Sequence, residues 1–162
     1  TLLNLFDSEK PSNTIQTKVN LNINIPIYSK LIYKLNLFGG LSIGPVNSSF
    51  YKYRMGGIFG QNLNNFSSFE GYEFGEIETN NIISASNIFQ YNVMKNYFLL
   101  TSFNLSNTFN EIKGFDFLNI KHSSVGLTAG YKSPFGQLKL NYSQRLEKNS
   151  KGIFSVILGH WF

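Results

Sequence analysis

Residues 40–44 read Gly40-Leu41-Ser42-Ile43-Gly44, a G-x-S-x-G pentapeptide of the kind that carries the nucleophile of many serine hydrolases. Chain order offers partners for such a serine, because Asp116 and then His122 or His160 follow it. The chemistry needs more than the pentapeptide. The serine must stand on a sharp turn from a strand into a helix, which lifts its hydroxyl above a sheet. Pro45-Val46-Asn47-Ser48-Ser49 come next, a loop sequence with no helical pattern. Ser42 is therefore read as an ordinary strand serine, and no catalytic residue is assigned.

The remaining chemical side chains lead no further. His122 stands at a loop-to-strand junction and His160 two residues from the last, without the clustered spacing of a metal pair. Glu70, Glu73, Glu76 and Glu78 read as a solvated or lumen-facing acidic loop rather than a cation site. Gly56-Gly57 and the later glycines do not spell a phosphate-binding loop. Neither a metal nor a cofactor is expected. The formal charge of +5 comes from 12 Lys and 2 Arg scattered singly. No basic stripe forms, so nucleic acid is not an expected partner.

The elements that would position these residues are strands. From Ile15, Thr17, Val19, Leu21, Ile23, Ile25 and Ile27 take one phase, and Gln16, Lys18, Asn20, Asn22 and Asn24 the other. A period of two means a β-strand with one apolar and one polar face. Leu31–Ile43 repeats the alternation, broken by Ile32 and Phe38, and so do the stretches around Ile83–Val93, Tyr97–Leu105, Val125–Tyr131, Leu138–Tyr142 and Phe154–Phe162. Seven strands are predicted, with Leu2-Leu3-Asn4-Leu5-Phe6 as the end of an eighth.

These strands run to about 10 to 13 residues, nearer to the 9–11 of a tilted membrane-crossing strand than to the five or six of ordinary sheets. The chain is rich in Phe and Tyr yet only 14% charged, so its polar phase is made of Asn, Ser, Thr and Gln. The outward face of a soluble β-sandwich would carry more Lys and Glu. Links at 26–30, 94–96 and 133–135 are short, while those at 7–13, 44–81, 108–122 and 146–151 are long and fall on the opposite side. Short periplasmic turns alternating with longer extracellular loops is the outer-membrane barrel pattern. The absence of cysteine suits passage through an oxidising compartment. The expected fold is all-β: an antiparallel transmembrane β-barrel over residues 1–162, with a long extracellular or lumenal loop at 44–81.

Three stretches carry a resemblance. The final strand, ending His160-Trp161-Phe162, resembles the C-terminal signal read by the outer-membrane assembly machinery. "YKSPFGQLKLNYS" is similar to the S-P-F-G-x-L turn and strand of the BamA/TamA superfamily, and "YRMGGIFGQNLNNFSSFEGYEFGEI" to that superfamily's long lumenal loop. Within it the chain looks most like the barrel of bacterial patatin-like phospholipase (type Vd) autotransporters. The resemblance implies an outer-membrane anchor or conduit for an attached patatin domain, which would hold the true G-x-S-x-G nucleophile. It assigns Phe154, Val156, Leu158 and Phe162 to the assembly signal, and Gly56, Gly57, Gly71 and Tyr72 to the loop contact. It also implies lipid, lipopolysaccharide and the assembly machinery as partners. An Arg at the loop tip braces the loop in insertase and two-partner-transporter relatives; Glu70 stands there in this chain. Family barrels have sixteen strands, so about eight would be the C-terminal half, closed by missing N-terminal strands or another copy. The alternatives are a self-contained eight-stranded porin or adhesion barrel and a BamA-type insertase.

Overall fold

The computed structural model describes residues 14–44, 46, 51–58, 65–111 and 119–159. Its main sheet is an antiparallel meander of seven strands: β1 (Ile15–Tyr28), β2 (Leu31–Ile43), β6 (Asn81–Asn92), β7 (Tyr97–Phe109), β8 (His122–Ser133), β9 (Gly136–Arg145) and β10 (Ile153–Gly159), in that spatial order. Every neighbour in space is the next long strand in sequence, joined by a tight turn or by one of the predicted longer links. The all-β, antiparallel class follows from the alternation. The stretch expected to form an eighth strand, residues 2–6, lies outside the described residues.

The alternation sorts the side chains in the reverse of a soluble sheet. Ile15, Val19, Leu99, Phe103, Leu127, Leu140, Tyr142, Phe154 and Val156 are exposed, whereas Ser84, Ser102, Asn104, Ser124, Thr128, Asn141 and Ser143 are buried. Buried polar groups need partners, and many find them across the sheet. Asn104 Nδ2 donates to Ser124 Oγ at 3.3 Å and Asn141 Nδ2 to Thr128 Oγ1 at 2.8 Å. The polar face is therefore the packed side, and among the described residues the apolar face meets no other part of the protein. Near the short turns the outward face turns aromatic: Tyr28, Tyr91, Tyr97 and Phe135 are exposed, and Tyr97 packs on Tyr131 with ring centroids 4.8 Å apart. Such a girdle suits the level of lipid headgroups.

The sheet curls strongly. Residues from all seven strands, from Asn22 and Asn24 of β1 to Ile157 of β10, line a single cavity. Among the described residues β1 and β10 do not pair with each other. The polar phase of β1, from Lys18 to Asn24, stays exposed although its counterparts on β7 to β9 are buried.

The long link after β2 is not a featureless loop. It contains β3 (Tyr53–Met55), β4 (Phe66–Ser67) and β5 (Ile77–Thr79), which form a small sheet in the order β4-β3-β5. Alternation cannot reveal strands of two or three residues. The break at Phe38 also finds its reason here. Phe38 turns to the polar side and meets Tyr53 edge-on, with centroids 6.2 Å apart.

Candidate functional site

The described residues of the 53–79 segment lie against the polar face of the wall, and their contacts define the most elaborate site among the described residues. The base is apolar: Tyr53, Met55, Phe69 and Tyr72 of this segment form one buried cluster with Phe38 of β2 and Ile82 of β6. Tyr53 also donates its hydroxyl to the backbone of Thr17 at 3.0 Å.

Two glycines shape the segment. Gly56 has φ +136° and its missing side chain leaves room for the Glu73 carbonyl. Gly57 has φ +73°; its N–H donates to Tyr72 O, and its carbonyl accepts from Phe69 N–H, both at 2.8 Å. Left-handed backbone of this kind favours glycine. The pair thereby holds residues 69–72 as a tip.

The tip is seated on β7, β8 and β9. Glu70 accepts a hydrogen bond from Ser102 Oγ in the space that Gly126 leaves by having no side chain. Gly71 N–H donates to Ser143 Oγ at 3.0 Å, and its carbonyl accepts from Arg145 Nε at 3.3 Å. Tyr72 donates to Glu147 Oε1 at 2.6 Å and meets His122 edge-on. Arg145 lies over the Tyr72 ring, 4.4 Å from its centroid, and pairs with Glu76 at 2.8 Å.

Magnitudes rank these contacts. Burying a large apolar side chain contributes about 1.5–3 kcal/mol, a hydrogen bond about 0.5–1.5 kcal/mol, and a partly exposed ion pair about 0–1 kcal/mol. The apolar cluster holds the segment in the wall. The polar contacts fix where its tip sits.

Burial pushes the Glu70 carboxyl above the usual carboxylate range, partly offset by hydrogen bonds from Ser102 and Asn141 and by the charge of Lys139. The Tyr72 hydroxyl is pushed up as well, by burial and by the Glu147 carboxylate. A carboxyl whose pKa rises on seating binds its proton more tightly in the seated state. Its contribution is complete below the ordinary glutamate pKa and is lost as pH rises through the elevated one. Limited proteolysis within residues 53–79 should therefore be slower at pH 5 than at pH 8, measured with a protease matched for activity at each pH. Glu70→Gln should flatten that difference, and a slope unchanged in the variant would assign it to another group.

The other residues singled out in the sequence go to separate places. Ser42 lies in the β2 ladder, its N–H donating to Asn81 Oδ1 at 2.7 Å and its Oγ accepting from Gln16 at 3.1 Å. Among the described residues no helix follows it. His122 lies three strands away in the sheet, about 14 Å at ordinary strand spacing, and its ring nitrogens face Tyr72 and Thr108. Asp116 and His160 lie outside the described residues. Glu78 pairs with Lys52 at 3.0 Å and Arg54 at 3.2 Å, and Glu76 with Arg145, so the acidic residues are divided among partners. Phe154, Val156 and Leu158 project outward from β10, exposed; Phe162 lies outside the described residues.

Sequence reasoning missed Ser102, Ser143, Arg145 and Glu147 as contacts of the tip, and read Glu70 as the loss of a brace. In the structure Glu70 makes its own contact with the wall. The one local signal was Gly126, a gap in the wall.

Comparison with curated proteins gives no match. The family model of the OMP85 superfamily matches residues 5–162, nearly the whole chain. A curled wall with its apolar side outward agrees with that match: the chain belongs to the OMP85 superfamily, a family of outer-membrane β-barrels.

Proposed function

We propose that this chain is the membrane-embedded wall of an outer-membrane anchor and conduit, with residues 44–81 as a folded plug inside its lumen. The observation that carries the reading is the seat itself. A segment between two wall strands turns inward, buries its own apolar cluster, and docks a four-residue tip on β7–β9. An extracellular loop with no lumenal role has no need of polar contacts matched to the wall.

The attached cargo in this reading is a patatin-like phospholipase domain. Its support is the resemblance of the loop tip and of the final strand to that autotransporter branch. Phe154, Val156, Leu158 and Phe162 act as the assembly signal, and Gly56, Gly57, Gly71 and Tyr72 as the loop contact. Lipid, lipopolysaccharide and the assembly machinery are the partners. Unpaired strand edges cost several kcal/mol per group in lipid, so β1 and β10 meet further strands of the same protein or of another copy.

A second reading, a self-contained eight-stranded barrel, is favoured by one observation: all seven strands already line one cavity, and eight strands suffice to enclose a small interior. Blotting outer membranes with an antibody against β9–β10 separates the two. The anchor reading expects a band well above 18.4 kDa that carries lipid-hydrolase activity on immunoprecipitation. A variant lacking Phe162 should vanish from the membrane fraction. A band near 18.4 kDa overturns the attached domain, and normal insertion without Phe162 overturns the signal.

A further inference from the structure

Beside the seated tip lies a cavity of about 350 Å³. Asn22, Asn36, Asn104 and Asn141 are among the residues that line it, together with Lys34 and Lys139. Among the described residues Glu70 is the one carboxylate in its lining. Lys34 of β2 and Lys139 of β9 line this same space, and among the described residues Lys34 forms no ion pair with a carboxylate. Two like charges held together over a cavity repel, and an anion between them relieves the repulsion.

A second observation points the same way. Asn141 is 1% exposed and lines the cavity, yet its Oδ1 is buried without a hydrogen-bond partner. Its Nδ2 is already committed to Thr128. An orphaned buried acceptor costs about 1–3 kcal/mol, and the group that would satisfy it is a hydrogen-bond donor. The cavity thus offers positive charge beside an unpaired acceptor.

We propose that this cavity is a binding site for a small hydrophilic oxyanion that carries its own hydroxyl, a phosphate group with one proton being the simplest case. The ammonium groups of Lys34 and Lys139 bind the charged oxygens, and the remaining P–OH donates to Asn141 Oδ1. Glu70 and Lys139 line the same cavity, so an entering anion competes with the tip of the plug for the same space and charge. Occupancy therefore loosens the seat, and the seat weakens the site. The inference rests on the curl of the wall that brings β1 to β10 around one cavity, and not on any attached domain.

The test uses the full-length protein purified from outer membranes in detergent, with inorganic phosphate as the probe and sulfate as the comparison, at pH 7 and constant ionic strength. Sulfate has the same shape but no proton to donate. Calorimetry should give phosphate binding at least about tenfold tighter than sulfate binding. Lys34→Gln and Lys139→Gln should each weaken phosphate binding about tenfold or more. Glu70→Gln should strengthen it several-fold, a sign opposite to that of any loss of structure. Lys34→Arg keeps the charge and should bind phosphate nearly as the parent does, which covers the event that a glutamine variant fails to fold. No phosphate binding at 10 mM, equal binding of sulfate, or weaker binding by Glu70→Gln would overturn the proposal.

Discussion

Replacing Gly71 by Val should unseat the tip and expose residues 53–79 to protease, with the folded wall intact. Two effects add. Gly71 has φ +84°, where a side chain costs about 1–2 kcal/mol. A Cβ at that position would lie 2.9 Å from Arg145 N, 2.9 Å from Ser124 Cβ and 3.0 Å from Gln144 C. Two of those atoms are backbone within the β9 ladder and cannot turn aside, so overpacking adds about 1–3 kcal/mol. The sum exceeds what the hydrogen bonds of Gly71 return at about 0.5–1.5 kcal/mol each. The population with an unseated tip should rise by two orders of magnitude or so, at about 1.4 kcal/mol per decade. Gly39→Ala is the control, because nothing lies within 4 Å of the added carbon. Protease resistance equal to that of the parent protein in Gly71→Val would show that the tip is not seated as described.

The second large effect lies on the opposite face. Leu127 sits midway along β8, exposed, with Thr101 and Tyr142 opposite it on the neighbouring strands. In water, an exposed Leu→Arg change stays within about 0.5 kcal/mol. At the middle of a bilayer the same change costs about 2–4 kcal/mol, because the guanidinium must be held in hydrocarbon. Leu127→Arg should therefore lower the unfolding free energy of the full-length protein refolded in lipid vesicles by that amount, read as a lower urea midpoint at unchanged slope. An unchanged midpoint would place this face in water and overturn the inside-out reading of the wall.

The wall was legible because period two is a property of neighbouring residues. Ile15 to Ile27 announce their strand without help from anything distant, and each short link announces its turn. The seat was not legible, because its contacts join residues far apart in sequence. Gly71 meets Ser143 and Tyr72 meets Glu147, and nothing local to either partner requires the other. Phe38 read as an irregularity of strand pattern, and Ile82 drew no reading. Only the folded segment turns them into the floor of a cluster. Glu70 looked like the loss of a brace because its type was compared with a motif. Gly126 was visible as a gap, but that Ser102 stands beside it to meet Glu70 could be seen only once the strands were side by side.

One feature of the topology bears on the order in which the wall is made. Five of the six strand pairings in the main sheet join strands close in sequence, across links from two residues to about a dozen. The exception is β2 with β6, which must meet across residues 44–80. Short links close cheaply, and the entropy of closure grows with the length of flexible chain to be gathered. The β3–β5 sheet and its apolar cluster gather much of that chain in advance, so that β2 and β6 are delivered to each other. The plug is thus also a splint for the one remote join in the wall. An unsettled tip, as in Gly71→Val, delays the wall as well as loosening the lumen.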